Sequence, residues 1–375
     1  MSVLTLSDIK KKNRSDIYHY IYSNPHCAKQ TIANTLSISL PTVSQHLTQL
    51  QNENLIEKCG QLVSSVGRRA TAYQINATAR IAIGIEILPN KVYLVALNLY
   101  GAQEAKAKHK LPFEPTKDYF SKLHNLVQNF LSENQLSESH ILGIGLGVQG
   151  LVSPDGSKIT YGKILNCTGL QIQLFSDYFS FPCKFIHDAE CASNQELLAN
   201  PQLCDAIYLS LGYHLGGAII INRILQNGLT GKTGTFEHMT LIPDGMECYC
   251  GKTGCADCYC SGSFLLTQNM ELDEFFYQKE HNNVPCQKKW EEYLAYLSRL
   301  INNLHMVLEI PIILGGRIGT YITNEDLEWI KKRVTNLSAF HEDASYITLG
   351  TCCHEAISAG AALPFIQDFL NTMIF

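Results

Sequence analysis

GKTGTFEHMTLIPDGMECYCGKTGCADCYCSG, residues 231–262, is the stretch around which the rest of the chain is organised. Within it His238 is followed by Cys248, Cys250 and Cys255, and Gly251 and Gly254 lie between the last two cysteines. Three thiolates and one imidazole are the ligand set of a closed, four-coordinate structural zinc site, and the glycines let a short loop fold back around the ion. The spacing is not that of a zinc finger, so the expected Zn2+ pins a loop inside a larger domain. The bland alternative is a set of buried free thiols with an unrelated histidine. The dense Cys-x-Cys-Gly-x-x-Gly-Cys run behind a histidine favours the metal. Cys258 and Cys260 read as neighbours with no metal role.

Outward from this loop, 375 residues are enough for two or three domains with real cores, and 46% hydrophobic with 17% charged residues describes an ordinary globular protein. Fourteen cysteines without framework spacing, behind an N-terminus that turns polar early, read as reduced thiols in a cytoplasmic protein. No apolar run is long enough to span a bilayer, so membrane insertion is not expected. Charge is uneven. Residues 1–80 hold nine Lys/Arg against four acids, a balance of +5, and the remainder balances to −10. A basic head on an acidic body is the pattern expected when only the head touches nucleic acid.

In that head, Ser7 to Ser23 has apolar positions near helical spacing, with Ser7 as the expected N-cap. A short helix follows over 29–36, and a third opens at Pro41, whose missing N–H costs nothing in a first turn. The third helix is expected to bury Val43, Leu47 and Leu50 and to present Thr42, Ser44, Gln45, His46 and Gln49. Two strands then flank a tip carrying Gly67-Arg68-Arg69. The pattern is a winged helix-turn-helix for double-stranded operator DNA. Ser39, Thr42, Ser44 and Gln45 are the expected contacts at the reading helix, and Arg68 and Arg69 the contacts of the wing. A three-helix protein-interaction module is the competing reading, and the paired arginines and charge asymmetry favour DNA.

From Ile81 the texture is α/β. Three antiparallel strands, a helix from about 117 to 131 and the apolar strand ILGIGLGV are followed by CKFIHD, which places Asp188 at the carboxyl end of a strand. A second unit repeats strand, glycine turn and strand from Asp205. The last helix carries Ala356, Ala359, Gly360, Ala361 and Ala362, small enough for close packing. Two similar units facing one another suggest a clamshell with a small-molecule site between them. The expected division is 1–80, 81–190 completed by the C-terminal helix 353–375, and 191–352.

GIGLGVQGLVSPDG (143–156), HDAECASNQE (187–196), GKTGTFEHM (231–239), CYCGKTGC (248–255), ILGG (313–316) and SAGAA (358–362) occur in one order. In these blocks the chain resembles the ROK family of bacterial sugar kinases and sugar-responsive transcription factors, and the winged helix resembles its repressor branch. The resemblance implies a two-lobed, actin-like and ribonuclease-H-like duplicated fold behind the winged helix. It also implies the zinc set His238, Cys248, Cys250 and Cys255, a sugar or sugar phosphate effector, and a homodimer or homotetramer. In the family's kinases the position of Asp188 is the general base, and the positions of His187, Asn166, Asp257 and the neighbourhood of His238 lie at the sugar.

The chain departs from the kinase pattern in two places. Thr235 stands where a glutamate is usual, removing a charge-assisted acceptor worth roughly 1.5–3 kcal/mol; Asp257 is one methylene short, and Glu237 fills a glycine position. The phosphate loops read Glu86-Ile87-Leu88-Pro89-Asn90 and Gly212-Tyr213-His214-Leu215-Gly216-Gly217, where Pro89 lacks an N–H and Tyr213 and His214 crowd a nucleotide. Asp188 is therefore expected to be a vestigial base, with no catalysis, because phosphoryl transfer depends on holding the phosphates. The alternatives are a sugar kinase with an appended DNA-binding head and a regulator controlled by a protein partner.

Overall fold

The head is built from α1 (Leu6–Ser23), β1 (Cys27–Ala28), α2 (Lys29–Leu36), α3 (Leu40–Asn52), β2 (Ile56–Leu62) and β3 (Ala70–Ile75). The structure is a computed structural model describing residues 5–62, 70–266, 270–340, 343–351 and 356–373. The first helix is capped by Thr5 and not by Ser7: the Thr5 hydroxyl accepts from the Asp8 amide, and Asp8 returns a bond to the Thr5 amide. This reciprocal pair satisfies two orphan donors, which Ser7 inside the helix cannot do. Ser39 caps α3 and Pro41 sits in its first turn. The strand β1, which the sequence pattern did not announce, pairs with β3 to give the sheet β1-β3-β2. Arg68 and Arg69 lie outside the described residues.

The body contains β4 (Ile81–Leu88), β5 (Lys91–Asn98), β6 (Gln103–Lys110), α4 (Lys117–Glu133), β7 (Ile141–Val148), β8 (Leu151–Val152), β9 (Ile159–Tyr161), α5 (Gln173–Ser176), β10 (Cys183–His187) and α6 (Asp188–Ala199). It continues with β11 (Ala206–Leu211), β12 (Leu215–Ile221), β13 (Ile224–Leu225), α7 (Gly262–Leu265), α8 (Leu272–Glu280), α9 (Val284–Val307) and β14 (Ile312–Gly315). The chain closes with α10 (Gly316–Gly319), α11 (Asn324–Leu337), β15 (Ile347–Leu349) and α12 (Ala356–Thr372). The two five-stranded sheets run β6-β5-β4-β7-β10 and β13-β12-β11-β14-β15. In each, a three-stranded antiparallel meander is extended by two parallel strands on the side of its first strand. The same order occurs twice, so the body is a duplication, and the near-continuous apolar runs of β4, β7 and β11 follow from burial on both faces.

Helix α12 returns to pack on β4, β5, β7 and α6. The contact is backbone on backbone. A Cβ at Gly84 would lie 1.7 Å from the Ser358 carbonyl oxygen, one at Gly145 1.9 Å from that of Ala361, and one at Gly360 1.7 Å from that of Cys191. The small residues of 358–362 therefore meet glycines on the sheet as well as a helix. Because α6 runs unbroken from Asp188 to Ala199, the boundary expected at residue 190 falls inside a helix.

The head has no free tether to the body. Ile17, Tyr18 and Ile21 of α1, Leu47 of α3, Leu97 and Leu99 at the end of β5, and Leu363 and Ile366 of α12 belong to one hydrophobic cluster. The Tyr22 hydroxyl donates to the Leu99 carbonyl at 2.9 Å, and its ring stacks on Tyr100 with centroids 4.7 Å apart. Among the described residues no disulfide joins any cysteines, and no helix is long and apolar enough to cross a membrane.

Candidate functional site

On the reading helix, Val43, Leu47 and Leu50 are buried, while Ser39, Gln45 and Gln49 are exposed and Thr42 and Ser44 half-buried. Ser39 and Thr42 share a hydroxyl contact of 2.7 Å, so Ser39 both starts the helix and orients Thr42. His46 differs from expectation. It is 5% exposed because it lies on the core side beside Val43 and Leu47, and burial lowers its pKa below the ordinary imidazole value. Arg14 is also withdrawn from the charge available to a partner, since its guanidinium engages both oxygens of Glu53 at the end of α3.

The loop cluster forms because the chain folds back twice. The Gly251 amide bonds the Cys248 carbonyl and the Cys248 amide bonds the Lys252 carbonyl, closing a tight turn that carries Cys250. Gly251 and Gly254 both adopt positive φ, and a Cβ at Gly254 would meet the Ile242 carbonyl oxygen at 1.8 Å. As a result one donor atom each from His238, Cys248, Cys250 and Cys255 lies within 4.8 Å of all the others. The sulfurs of Cys250 and Cys255 are 3.7 Å apart, and His238 Nδ1 is 3.9 Å from Cys248 Sγ. A tetrahedral ion with metal–sulfur bonds of about 2.3 Å sets its sulfurs about 3.8 Å apart. The donor set can hold a metal ion. Cys258 lies beside the Cys248 thiol but outside the four-donor group, its sulfur contacting the carbonyls of Met246 and Glu247, and Cys260 is fully buried.

Next to this loop a cleft separates the two sheets. His187, Asp188, Tyr161 and Gln149 line it from the first sheet's side, and His214, Glu237, His238 and Tyr249 from the second's. His187 Nε2 is 3.1 Å from Asp188 Oδ1, and that oxygen also accepts from the Ala189 amide at 2.9 Å. Asp188 thus serves the first turn of α6 and faces the cleft at the same time. Glu237 is 6% exposed, and its Oε2 has no hydrogen-bond partner among the described residues. An orphaned buried carboxylate oxygen in a cleft asks for a donor from a ligand. The free volume is about 30 Å3, room for a water or two, so anything the size of a sugar enters only when the units part.

Two expected ligand contacts are placed differently. Asp257 is buried and does not line the cleft: Oδ1 accepts from the Leu215 amide at 2.7 Å and Oδ2 lies 3.1 Å from His214 Nδ1. It positions His214, and His214 reaches the cleft in its stead. Asn166 is an exposed turn residue with φ of 49° and also lies outside the cleft lining. Thr235 bonds the Lys232 carbonyl, leaving the carboxylate of that segment to Glu237. Sequence reasoning missed Tyr161, His214 and Tyr249 as lining groups; the aromatic-flanked Tyr213-His214 pair was the available signal, read only as an obstacle.

At the first phosphate loop, β4 pairs with β5 through Leu88 and Lys91, so Pro89-Asn90 is a two-residue turn without glycine. Glu86, on β4, has its carboxyl pushed up to about 7 by burial and then by the charge of Asp188. The folded protein therefore holds this proton where the unfolded chain has released it, and stability falls as pH rises from about 4.5 to 7. Glu86→Gln is expected to flatten that fall by about 3 kcal/mol, read as melting temperature against pH. An unchanged pH profile refutes the assignment.

These placements coincide with what the chain is similar to. Residues 82–363 match the ROK family. The chain belongs to the ROK family. Residues 10–57 match a winged helix-turn-helix DNA-binding family, so this ROK chain carries a winged helix-turn-helix head on its ROK domain. It is 28% identical over 272 residues to the xylose repressor of Bacillus spizizenii, covering 71% of this chain and 70% of that one. Among solved structures, a ROK family transcriptional regulator described as a homolog of the E. coli MLC protein superposes with a TM-score of 0.77 at 16% identity, over 98% of each chain. The ROK hexokinase of Thermus thermophilus superposes with a TM-score of 0.64 at 19% identity, over 78% of this chain and 99% of that one.

Proposed function

We propose that this ROK chain is a DNA-binding transcriptional repressor of carbohydrate genes, controlled by a sugar or sugar phosphate in the cleft. The observation that carries the proposal is the single hydrophobic cluster shared by α1, α3, β5 and α12. Movement at the cleft is handed to the reading helix without a flexible tether. Opening the cleft to admit a ligand favours one arrangement of the two sheets over the other, and the ligand's differential affinity shifts the population. In a homodimer or homotetramer, that shift changes the distance between two reading helices and so their fit to a palindromic operator. Thr42, Ser44 and Gln45 are the proposed base-edge and phosphate contacts, with Arg68 and Arg69 as wing contacts. His187, Asp188, Glu237 and His238 are the proposed effector contacts.

The division into a head of residues 1–80, a first unit from residue 81 completed by 353–375, and a second unit belongs to the same proposal, with the boundary between the two units moved from residue 190 to the end of α6 at Ala199. Zn2+ held by His238, Cys248, Cys250 and Cys255 is its structural metal. A bound ion would fix the loop that carries Tyr249 to one wall of the cleft. Phosphoryl transfer is not part of the function, because Pro89 and the bulky Tyr213-His214 replace the groups that would cradle a nucleotide.

Fluorescence anisotropy with double-stranded promoter DNA tests this directly. Affinity is expected to fall on adding one member of a panel of pentoses, hexoses, aminosugars and their phosphates, with D-xylose first. Glu237→Gln is expected to require at least tenfold more of that ligand at unchanged operator affinity. A protein that ignores every panel member, or that turns over ATP with a sugar, defeats the proposal. Arg68→Ala with Arg69→Ala is expected to reduce the slope of log affinity against log salt by about 0.9 per lost phosphate contact. An unchanged slope removes the wing from the interface.

A further inference from the structure

Backbone donors around the cleft are spent inside the fold. The first turn of α6 carries Asp188 and Glu190, and the Ala189 amide is taken by Asp188 at 2.9 Å. The positive end of this helix is therefore complemented by its own acids. At the carboxyl ends of β11 and β14 the pattern repeats. The Leu215 amide donates to Asp257, those of Gly262 and Ser263 donate to the carbonyls of Gly212 and Tyr213, and that of Gly316 donates to the Tyr208 hydroxyl. Free amides at such turns and helix starts are what would hold a phosphate.

Side chains supply no cation in their place. Lys163 is the one lysine or arginine in the lining among the described residues. It is exposed, where a single ion pair contributes about 0–1 kcal/mol. His187 and His214 each lie 3.1 Å from a carboxylate oxygen, of Asp188 and Asp257, so neither leaves an unmatched positive charge. Asp188 and Glu237 stand in the lining itself. Behind them Glu86 is level with Gly147 of β7 and Ile186 of β10, two residues short of Asp188, so both acids lie at the same end of the sheet. Burial and then the charge of Asp188 push the Glu86 carboxyl up, against a smaller pull from Lys91. A carboxyl that resists ionising beside Asp188 marks a place where the further charge of a phosphate is unfavourable.

The groups left over suit hydroxyls. Glu237 Oε2 and His214 Nε2 have no partner among the described residues. Asp257 holds the ring of His214 by Nδ1, which leaves Nε2 as the free nitrogen of a residue that lines the cleft. A hydroxyl both donates and accepts, so it satisfies a carboxylate and either form of an imidazole.

We propose that the effector is an unphosphorylated sugar, that its phosphate esters are excluded, and that His214 is a specificity-determining contact for one of its hydroxyls. This rests on the sugar-controlled reading above and narrows it to one class of ligand.

Anisotropy of the full chain on promoter DNA tests the inference. The probes are D-xylose, D-glucose and N-acetylglucosamine, each beside its ester: D-xylose 5-phosphate, D-glucose 6-phosphate and N-acetylglucosamine 6-phosphate. One parent sugar is expected to release the operator, and its ester to require at least tenfold more. His214→Ala is expected to require at least fivefold more of the parent at unchanged operator affinity and metal content, and His214→Gln to recover part of that loss. A smaller difference in either comparison, or an ester that acts where its parent does not, overturns the inference and leaves sugar control standing. A chain that answers to no probe of either kind overturns both. Should His214→Ala fail to fold, the comparison of parent with ester in the wild type still decides.

Discussion

Replacing Cys250 with serine is expected to strip the proposed zinc from the protein and to abolish operator binding. Cys250 sits at the tip of the tight turn, its sulfur 3.7 Å from that of Cys255, and a hydroxyl is a far poorer ligand for a soft, thiolate-rich site. Structural zinc contributes apparent free energies of about 10–16 kcal/mol in small zinc-binding peptides. Two consequences reach beyond the loop. Tyr249, between two of the ligands, leaves the cleft wall, and Asp257, two residues past Cys255, no longer holds the Leu215 amide and His214. Elemental analysis is expected to fall from about one zinc per chain to near none, with loss of anisotropy change on promoter DNA. Cys258→Ser, whose sulfur faces the Met246 and Glu247 carbonyls, is expected to keep both. Full metal content or normal operator affinity in Cys250→Ser would falsify the structural role.

The parts of this molecule that the sequence made plain are those in which neighbours along the chain decide the outcome. Pro41 behind a serine starts a helix, alternation in KVYLVALN makes a strand, and a histidine with three cysteines in 18 residues makes a donor cluster. The repeated sheet order was foreshadowed as two similar units, because strand, turn and strand recur. What stayed hidden depends on partners far apart. His46 reads as a polar residue on an open face, yet the core side of α3 runs through it. Thr5 wins the cap from Ser7 because Asp8 stands at the one position that can reciprocate. Asp257 keeps its carboxylate but spends it on a strand amide 42 residues away. Glu237, noted as filling a glycine position, becomes the orphaned acid of the cleft only when the second sheet is placed opposite the first. The head's docking also rests on a contact, Tyr22 to Leu99, that spans 77 residues. Local pattern carries no information about such a pair.

Gly360→Ala is the substitution expected to cost most for its size. The added methyl would lie 1.7 Å from the Cys191 carbonyl oxygen and 2.4 Å from its carbon. These are backbone atoms of α6, so no rotamer change relieves the clash, and α12 must retreat from α6. It cannot retreat alone, since Gly84 and Gly145 hold the same helix against β4 and β7 at equally short range, and Leu363 and Ile366 on it carry the head. Overpacking that displaces backbone costs about 3 kcal/mol or more. This lowers the melting temperature by about 6–12 °C in a chain with domains of this size. Gly169→Ala is the control: Gly169 also has an unusual backbone angle, φ of 90°, but nothing lies within 4 Å of its would-be Cβ. It is expected to cost only the local strain of about 1 kcal/mol. Because the head rides on α12, Gly360→Ala is also expected to bind operator DNA below its melting point with little or no response to effector. A melting temperature within about 2 °C of the wild type, or an intact effector response, would show that the seam between α12 and α6 is looser than its glycines indicate and that cleft movement reaches the reading helix by another route.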